Sequence, residues 1–378
     1  MNAWAGLARH AARGRLVRLA LTGAMGLGAL GGCTTASYYW QSFNGHMAMM
    51  GSARPIDDWL SDTATPEKLK ARLKLAQQIR RFAVDSLKLP ENSSYHRYAD
   101  LRRSAAVWNL TAAPEFSLTV KNWCFPVAGC VGYKGYFDEA EARQEAARLQ
   151  AEGLEVSVYP VPAYSTLGWM NWAGGDPLLN TFISYPEGEL ARLIFHELAH
   201  QVAYAPGDTA FNESFATAVE RLGGARWLAE QASAASQAEY ETYNNRRKQF
   251  RALTLALRRE LEAVYRDPPA LSDGQARLLR AQAKEAAMRR FHERYALLRQ
   301  QWGGYAGYDA WVARTNNASL GALAAYDELV PAFEALFAER GSDWASFYDA
   351  VRRLAAMPPT ERQQALRLYT QAQKDLHG

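Results

Sequence analysis

Two histidines four positions apart, with a glutamate directly after the first, stand in His196-Glu197-Leu198-Ala199-His200. On an α-helix this spacing stacks both imidazoles on one face, one turn apart, within reach of a single Zn²⁺ at about 2.0–2.1 Å. Glu197 projects one step round, beside the metal, where it is placed to take a proton from a water that the metal polarises. The competing reading is a pair of surface histidines on an amphipathic helix. Against it, Leu193, Ile194, Phe195, Leu198, Ala199 and Val202 are apolar. Such a helix is buried on most sides, and polar groups buried there without a partner are costly.

A catalytic zinc needs a third protein ligand and leaves a fourth position open. Glu213, in Phe211-Asn212-Glu213-Ser214-Phe215-Ala216, follows His200 by thirteen residues, across a Pro206-Gly207-Asp208 break that lets a second helix fold back. Glu220, seven residues further on the same helical face, is a candidate for a hydrogen bond behind a ligand; its alternative is an ion pair with a nearby arginine. Hydrolysis of an acyl bond also needs a donor for the developing oxyanion. Tyr305, Tyr308 and Tyr326 follow the motif, and Tyr326 is the preferred candidate. Upstream, Tyr164, Ser165 and Thr166 belong to a segment, 161–169, placed to line a substrate cleft.

The elements that must position these groups are legible from periodicity. A helical stripe runs from Pro66 to Leu87. Short β-branched or aromatic runs at 105–110, 116–120 and 131–137 read as strands, Asp138–Gly153 as a capped helix, and Leu154–Val161 as an alternating strand. Helices are expected at 189–204, 209–222, 226–265 and 273–300. The expected fold class is α+β: a mixed sheet with flanking helices over about 90–188, then a helical half over about 189–378, together one body from residue 53 onward.

The first 32 residues read as a signal segment, with Arg9, Arg13, Arg15 and Arg18 preceding an apolar run to Gly32. Leu30-Gly31-Gly32-Cys33 has the form of a lipobox, so Cys33 is the expected lipidated residue, with 33–52 as a tether. Thr34 in place of an aspartate points to the outer membrane, facing the periplasm. The whole chain carries 43 basic and 39 acidic residues, and the leader holds four of the basic ones and no acid. The remainder is therefore balanced, and nothing in its charge supports nucleic acid as a partner. Cys124 and Cys130, with five residues including a Pro and a Gly between them, suit a local disulfide in an oxidising compartment. A metal pair or two free thiols are the alternatives.

The segments HELAHQ and NESFATAVERLG resemble the aminopeptidase N type of gluzincin, although the connection between the two helices is shorter here. The chain as a whole is similar to a family of predicted bacterial aminopeptidases, many of them lipoproteins. The matching segments are Trp123–Phe137, Ala163–Trp169, the HELAHQ helix, NESFA and Thr315–Leu320. The resemblance implies a gluzincin-like fold, one zinc per chain held by His196, His200 and Glu213, Glu197 as general base, and a peptide substrate. It does not extend to the Gly-Ala-Met-Glu-Asn loop with which the aminopeptidase N type fixes the substrate's amino group. Asp176, Glu187 and Glu189 are the possible replacements. An envelope endopeptidase or peptidoglycan-peptide hydrolase with the same zinc chemistry is the second reading, and a non-catalytic zinc-stabilised scaffold the third. Oligomeric state is not readable from the sequence.

Overall fold

The computed structural model describes residues 38–125, 129–166, 174–266, 273–324 and 329–377. The leader, Cys33 and Tyr326 lie outside them. Two compact units divide at Gly51 and Ser52. In the first, residues 38–51 are helical.

The second unit is mixed α+β. Its strands are β1 (Arg54–Pro55), β2 (Arg97–Ala99), β3 (Val107–Pro114), β4 (Trp123–Phe125), β5 (Gly129–Val131), β6 (Lys134–Tyr136), β7 (Leu154–Val161) and β8 (Leu178–Leu179). Its helices are α1 (Ile56–Ser61), α2 (Glu67–Asp85), α3 (Glu139–Ala151), α4 (Glu187–Ala199), α5 (Thr209–Glu230), α6 (Ala234–Arg266), α7 (Asp273–Gln301), α8 (Asp309–Val312), α9 (Asn317–Ala324), α10 (Val330–Glu339), α11 (Trp344–Ala356) and α12 (Pro359–His377).

The expected single mixed sheet is instead three small ones among the described residues. β1, β2 and β8 form one with both pairing senses, β6, β3 and β7 an antiparallel second, and β4 with β5 a hairpin. Residues 116–120 are not a strand: Pro114 ends β3, and the Ser117 amide turns back onto its carbonyl at 3.2 Å. The run at 131–137 is split between β5 and β6 by Gly132 and Tyr133. β7 and α3 fall where the pattern places them. Asp138 caps α3 by accepting from the Ala140 and Glu141 amides, and Gly153 follows it at φ +84°.

The helical boundaries hold two further corrections. α4 ends at Ala199 rather than 204. α5 runs through Gly223 and Gly224 to Glu230, so the next helix starts at Ala234, with Ser233 accepting from the Ser236 amide. The two glycines are not breaks. A Cβ on Gly223 would lie 2.6 Å from a Leu87 methyl, and one on Gly224 2.7 Å from Cγ of Arg192. Their missing side chains let α5 approach its neighbours closely.

β3 is buried from Val107 to Ala113, with α3 on one part and α9 on another. Asn316 and Asn317 dock α9 to this sheet. The Asn316 amide donates to the Val156 carbonyl (2.9 Å), and that of Asn317 to the Pro114 and Glu115 carbonyls (3.0 and 2.7 Å). The Thr315–Leu320 segment is thus a clamp between helix and sheet.

Gly175 marks a tight crossing just before β8. It has φ +64°, and a Cβ there would come within 2.4–2.7 Å of the backbone of Ser93 and Ser94. Gly175→Ala combines left-handed strain with overpacking and is expected to cost about 3 kcal/mol. Urea unfolding measures it; a loss below about 1 kcal/mol would mean that the crossing is looser than described.

Candidate metal and catalytic site

α4 follows Pro186 as its N-cap and carries Glu187 and Glu189 in its first turn, where carboxylates complement the helix dipole. Leu190, Ala191, Ile194, Phe195, Leu198 and Ala199 are buried, and the helix packs chiefly on α5. His196 lies in its last turn and His200 is the C-cap, still in right-handed helical geometry. The stacked i, i+4 relation therefore survives the early end of the helix.

The turn into α5 is fixed by Asn212. Its side chain accepts from the Ala205 amide (2.8 Å) and donates to the Ala205 carbonyl (2.9 Å). Asp208 caps α5 by accepting from the Phe211 amide, and its other oxygen meets Arg362 at 2.9 Å. Phe211 and Phe215 anchor the first turns against Phe333. Glu213, next to Asn212, is thereby held facing the two histidines.

His196 Nε2 lies 3.2 Å from His200 Nε2 and 3.3 Å from Glu213 Oε2; the third separation, His200 Nε2 to Glu213 Oε2, is 3.8 Å. A tetrahedral ion bound at about 2.0–2.1 Å places its ligand atoms about 3.3 Å apart. The three side chains fit that requirement, and they are only 13%, 8% and 12% exposed. Together they form a group that could hold a metal ion.

Behind the triad stands a charged chain. His196 Nδ1 lies 3.1 Å from Glu220 Oε2, and the other Glu220 oxygen accepts from Arg192. Glu220 thus contacts His196 and pairs with Arg192 at the same time. A carboxylate at Nδ1 holds the proton there and leaves Nε2 free to coordinate. Arg192, one turn before His196, also approaches Glu189 at 4.0 Å. Glu220→Gln is expected to weaken the binding of a metal ion by the triad about 10–100-fold, as loss of such a partner does. Competition against a chelator measures it; unchanged affinity would leave Glu220 with no part in orienting His196.

The electrostatics favour a cation between these groups. Burial would raise Glu213 and Glu220, yet His200 and His196 hold Glu213 below the usual carboxylate range, and Arg192 with His196 brings Glu220 to about 2. Burial lowers His200 to about 4, leaving its imidazole neutral. Against the same burial, Glu213 and Glu220 raise His196 well above its ordinary value. Glu197 is pushed up to about 7 by burial, opposed by His196 and helped by Glu213, Asp176 and Glu220.

The other expected site residues divide. Ser165 and Thr166 turn to Asp176: the Thr166 hydroxyl donates at 2.7 Å, its amide at 3.1 Å and the Ser165 hydroxyl at 3.3 Å. The Tyr164 ring packs on Phe137. Glu187 accepts from Trp227 and Ser236, and Glu189 from Arg247. Asp176 is the one of these three acids whose charge reaches Glu197. Tyr305 and Tyr308 belong to an aromatic group with Trp302 and Phe250.

Several residues at the site escape the motif. Arg192 precedes His196 by four positions, a spacing that already places it on the histidine face. Tyr95 has φ +68°, and its buried hydroxyl, lacking a partner, sits in the field of Glu197 and Asp176. Tyr133, Tyr159 and Tyr204 come within electrostatic range of Glu213. They derive from loops and strands far apart in the chain, so no local pattern announces them.

The model of a family described as "Putative aminopeptidase" matches residues 37–366. No curated protein and no solved structure matches the chain.

Proposed function

Because the chain belongs to that aminopeptidase family, we propose that it is a zinc-dependent peptidase that removes residues from the amino ends of peptides in the cell envelope. The observation that carries this reading is the triad of donor atoms 3.2, 3.3 and 3.8 Å apart, with Glu220 behind it and Glu197, next to His196 in the chain, within its electrostatic field. Zinc bound there supplies a Lewis acid for the carbonyl oxygen and acidifies water.

The chain's own groups do the rest. Glu197 takes a proton from the attacking water as the new C–O bond forms. It passes that proton to the leaving amine as the C–N bond breaks. A buried carboxyl that holds its proton more readily than an exposed one suits both transfers. Arg192 and Glu220 keep His196 in the tautomer that offers Nε2. Asp176, fully buried and held by Ser165 and Thr166, adds its charge to the field at Glu197.

Zinc-loaded protein is expected to cleave unblocked peptides and to leave their N-acetylated counterparts intact. Equal cleavage of both would make it an endopeptidase, and cleavage of neither would remove the peptidase reading.

We assign the envelope location to a lipid on Cys33. The helix at 38–51 has no charged residue and leaves Tyr39, Trp40, Phe43 and Met47 exposed, a surface suited to a position near lipid. Cys33→Ser is expected to move the protein from the membrane to the soluble fraction; unchanged recovery with membranes would contradict the anchor.

A further inference from the structure

The hairpin of β4 and β5 is closed by the disulfide between Cys124 and Cys130, which are also Cα partners across it. Gly129, the first residue of β5, docks on the turn that introduces α5. Gly129 has φ +73°, and a Cβ there would lie 2.6 Å from the Gly207 nitrogen and 2.9 Å from its Cα. Backbone thus meets backbone at Gly129 and Gly207, and only glycine at 129 permits it.

Tyr133 leaves the hairpin two residues after β5. Its ring, with Tyr159, Thr111, Gly207 and the first residues of α5, lines a cavity of about 290 Å³. Thr209 and Ala210 in that wall precede Glu213 by one turn. The carboxylates of Glu213 and Glu197 both lie within electrostatic range of the Tyr133 hydroxyl. No hydrogen bond among the described residues holds that hydroxyl. Its neighbours differ: the Tyr159 hydroxyl is bonded to Asn109, and that of Tyr95 is enclosed. Tyr133 thus presents to this cavity, one helical turn from Glu213 along α5 and within electrostatic range of Glu213 and Glu197, a phenol donor with no acceptor among the described residues.

We infer that Tyr133 is a catalytic residue whose hydroxyl donates a hydrogen bond to the carbonyl oxygen as that oxygen becomes an oxyanion, and that the disulfide-closed hairpin positions it. This inference rests on the peptidase reading above. When water adds to the carbonyl carbon, the C=O π pair moves onto oxygen and is met there by the Tyr133 O–H. When the C–N bond breaks, the pair returns to re-form C=O and the hydrogen bond relaxes. Tyr133 loses no proton, and the proton transfers remain with Glu197. The bond is made chiefly in the transition state, so its loss falls on kcat rather than KM.

The test is Tyr133→Phe, which keeps the ring and its packing. Zinc content is expected to stay at the wild-type level. On the p-nitroanilide that wild type cleaves fastest, kcat is expected to drop about 10²–10³-fold with KM little changed. A phosphinic dipeptide, whose tetrahedral oxygens mimic the intermediate, is expected to bind the variant more weakly by a comparable factor. Tyr243→Phe, whose ring packs on Tyr305, is expected to match wild type in all three. If wild type binds the phosphinic peptide and cleaves the anilide but Tyr133→Phe does both equally well, the assignment is overturned and the peptidase reading stands. A rise in KM alone would make Tyr133 a binding residue and also overturn it. If wild type does neither, the peptidase reading itself fails and the assignment falls with it.

Discussion

Zinc-loaded Glu197→Gln protein is expected to hydrolyse peptides about 10²–10⁴-fold more slowly than wild type, the range lost with a general acid–base group. Its zinc affinity is expected to stay within a few-fold. Glutamine has nearly the same shape, and burial at 197 already disfavours the charged carboxylate, so the replacement leaves the packing of α4 intact. What it removes is the only group on α4 placed to accept a proton beside the triad without being one of its three donors. Equal zinc content in the two proteins, measured alongside the rate, separates loss of the base from loss of the metal. Undiminished hydrolysis would remove Glu197 from the mechanism.

Glu213→Gln should fail in the opposite way. It takes the anionic donor from a site of two imidazoles and one carboxylate, and zinc affinity is expected to drop on the order of 10³-fold or more, beyond the 10–100-fold expected for an outer partner such as Glu220. Activity should disappear at sub-stoichiometric zinc and return in part when zinc is raised. His196 makes the contrast sharper. It lies 3.3 Å from Glu213 and 3.1 Å from Glu220, so Glu213→Gln leaves it paired with Glu220 alone. Wild-type affinity in Glu213→Gln would exclude Glu213 as a ligand and return attention to Glu220.

The contrast between these variants follows from what each stretch of sequence encodes locally. The i, i+4 histidines, the Pro206-Gly207-Asp208 break and the Asp138 cap were readable because each depends on neighbours within a turn or two. β7 was readable because its alternation is uninterrupted. The helix expected over 209–222 runs on through Gly223 and Gly224 because their missing side chains leave room for Leu87 and Arg192, distant in sequence. The split of residues 131–137 at Tyr133 accompanies the docking of the hairpin on Gly207, whereas the strand expected at 116–120 is lost to the turn that Ser117 makes onto Pro114. The tyrosines around Glu213 arrive from β7 and from loops and carry no spacing signal. The cysteine pair gave its disulfide but not its consequence, because the docking partner of the hairpin lies more than seventy residues away.

The most direct test of the site is to strip the protein of metal and follow peptide hydrolysis while zinc is returned in measured increments. Activity is predicted to rise in step with bound zinc and to level at one equivalent per chain, with no such rise in a His196→Ala, His200→Ala double variant. Full hydrolysis by the zinc-free protein, or tight binding of one zinc by the double variant, would contradict the assignment of these residues as its metal site.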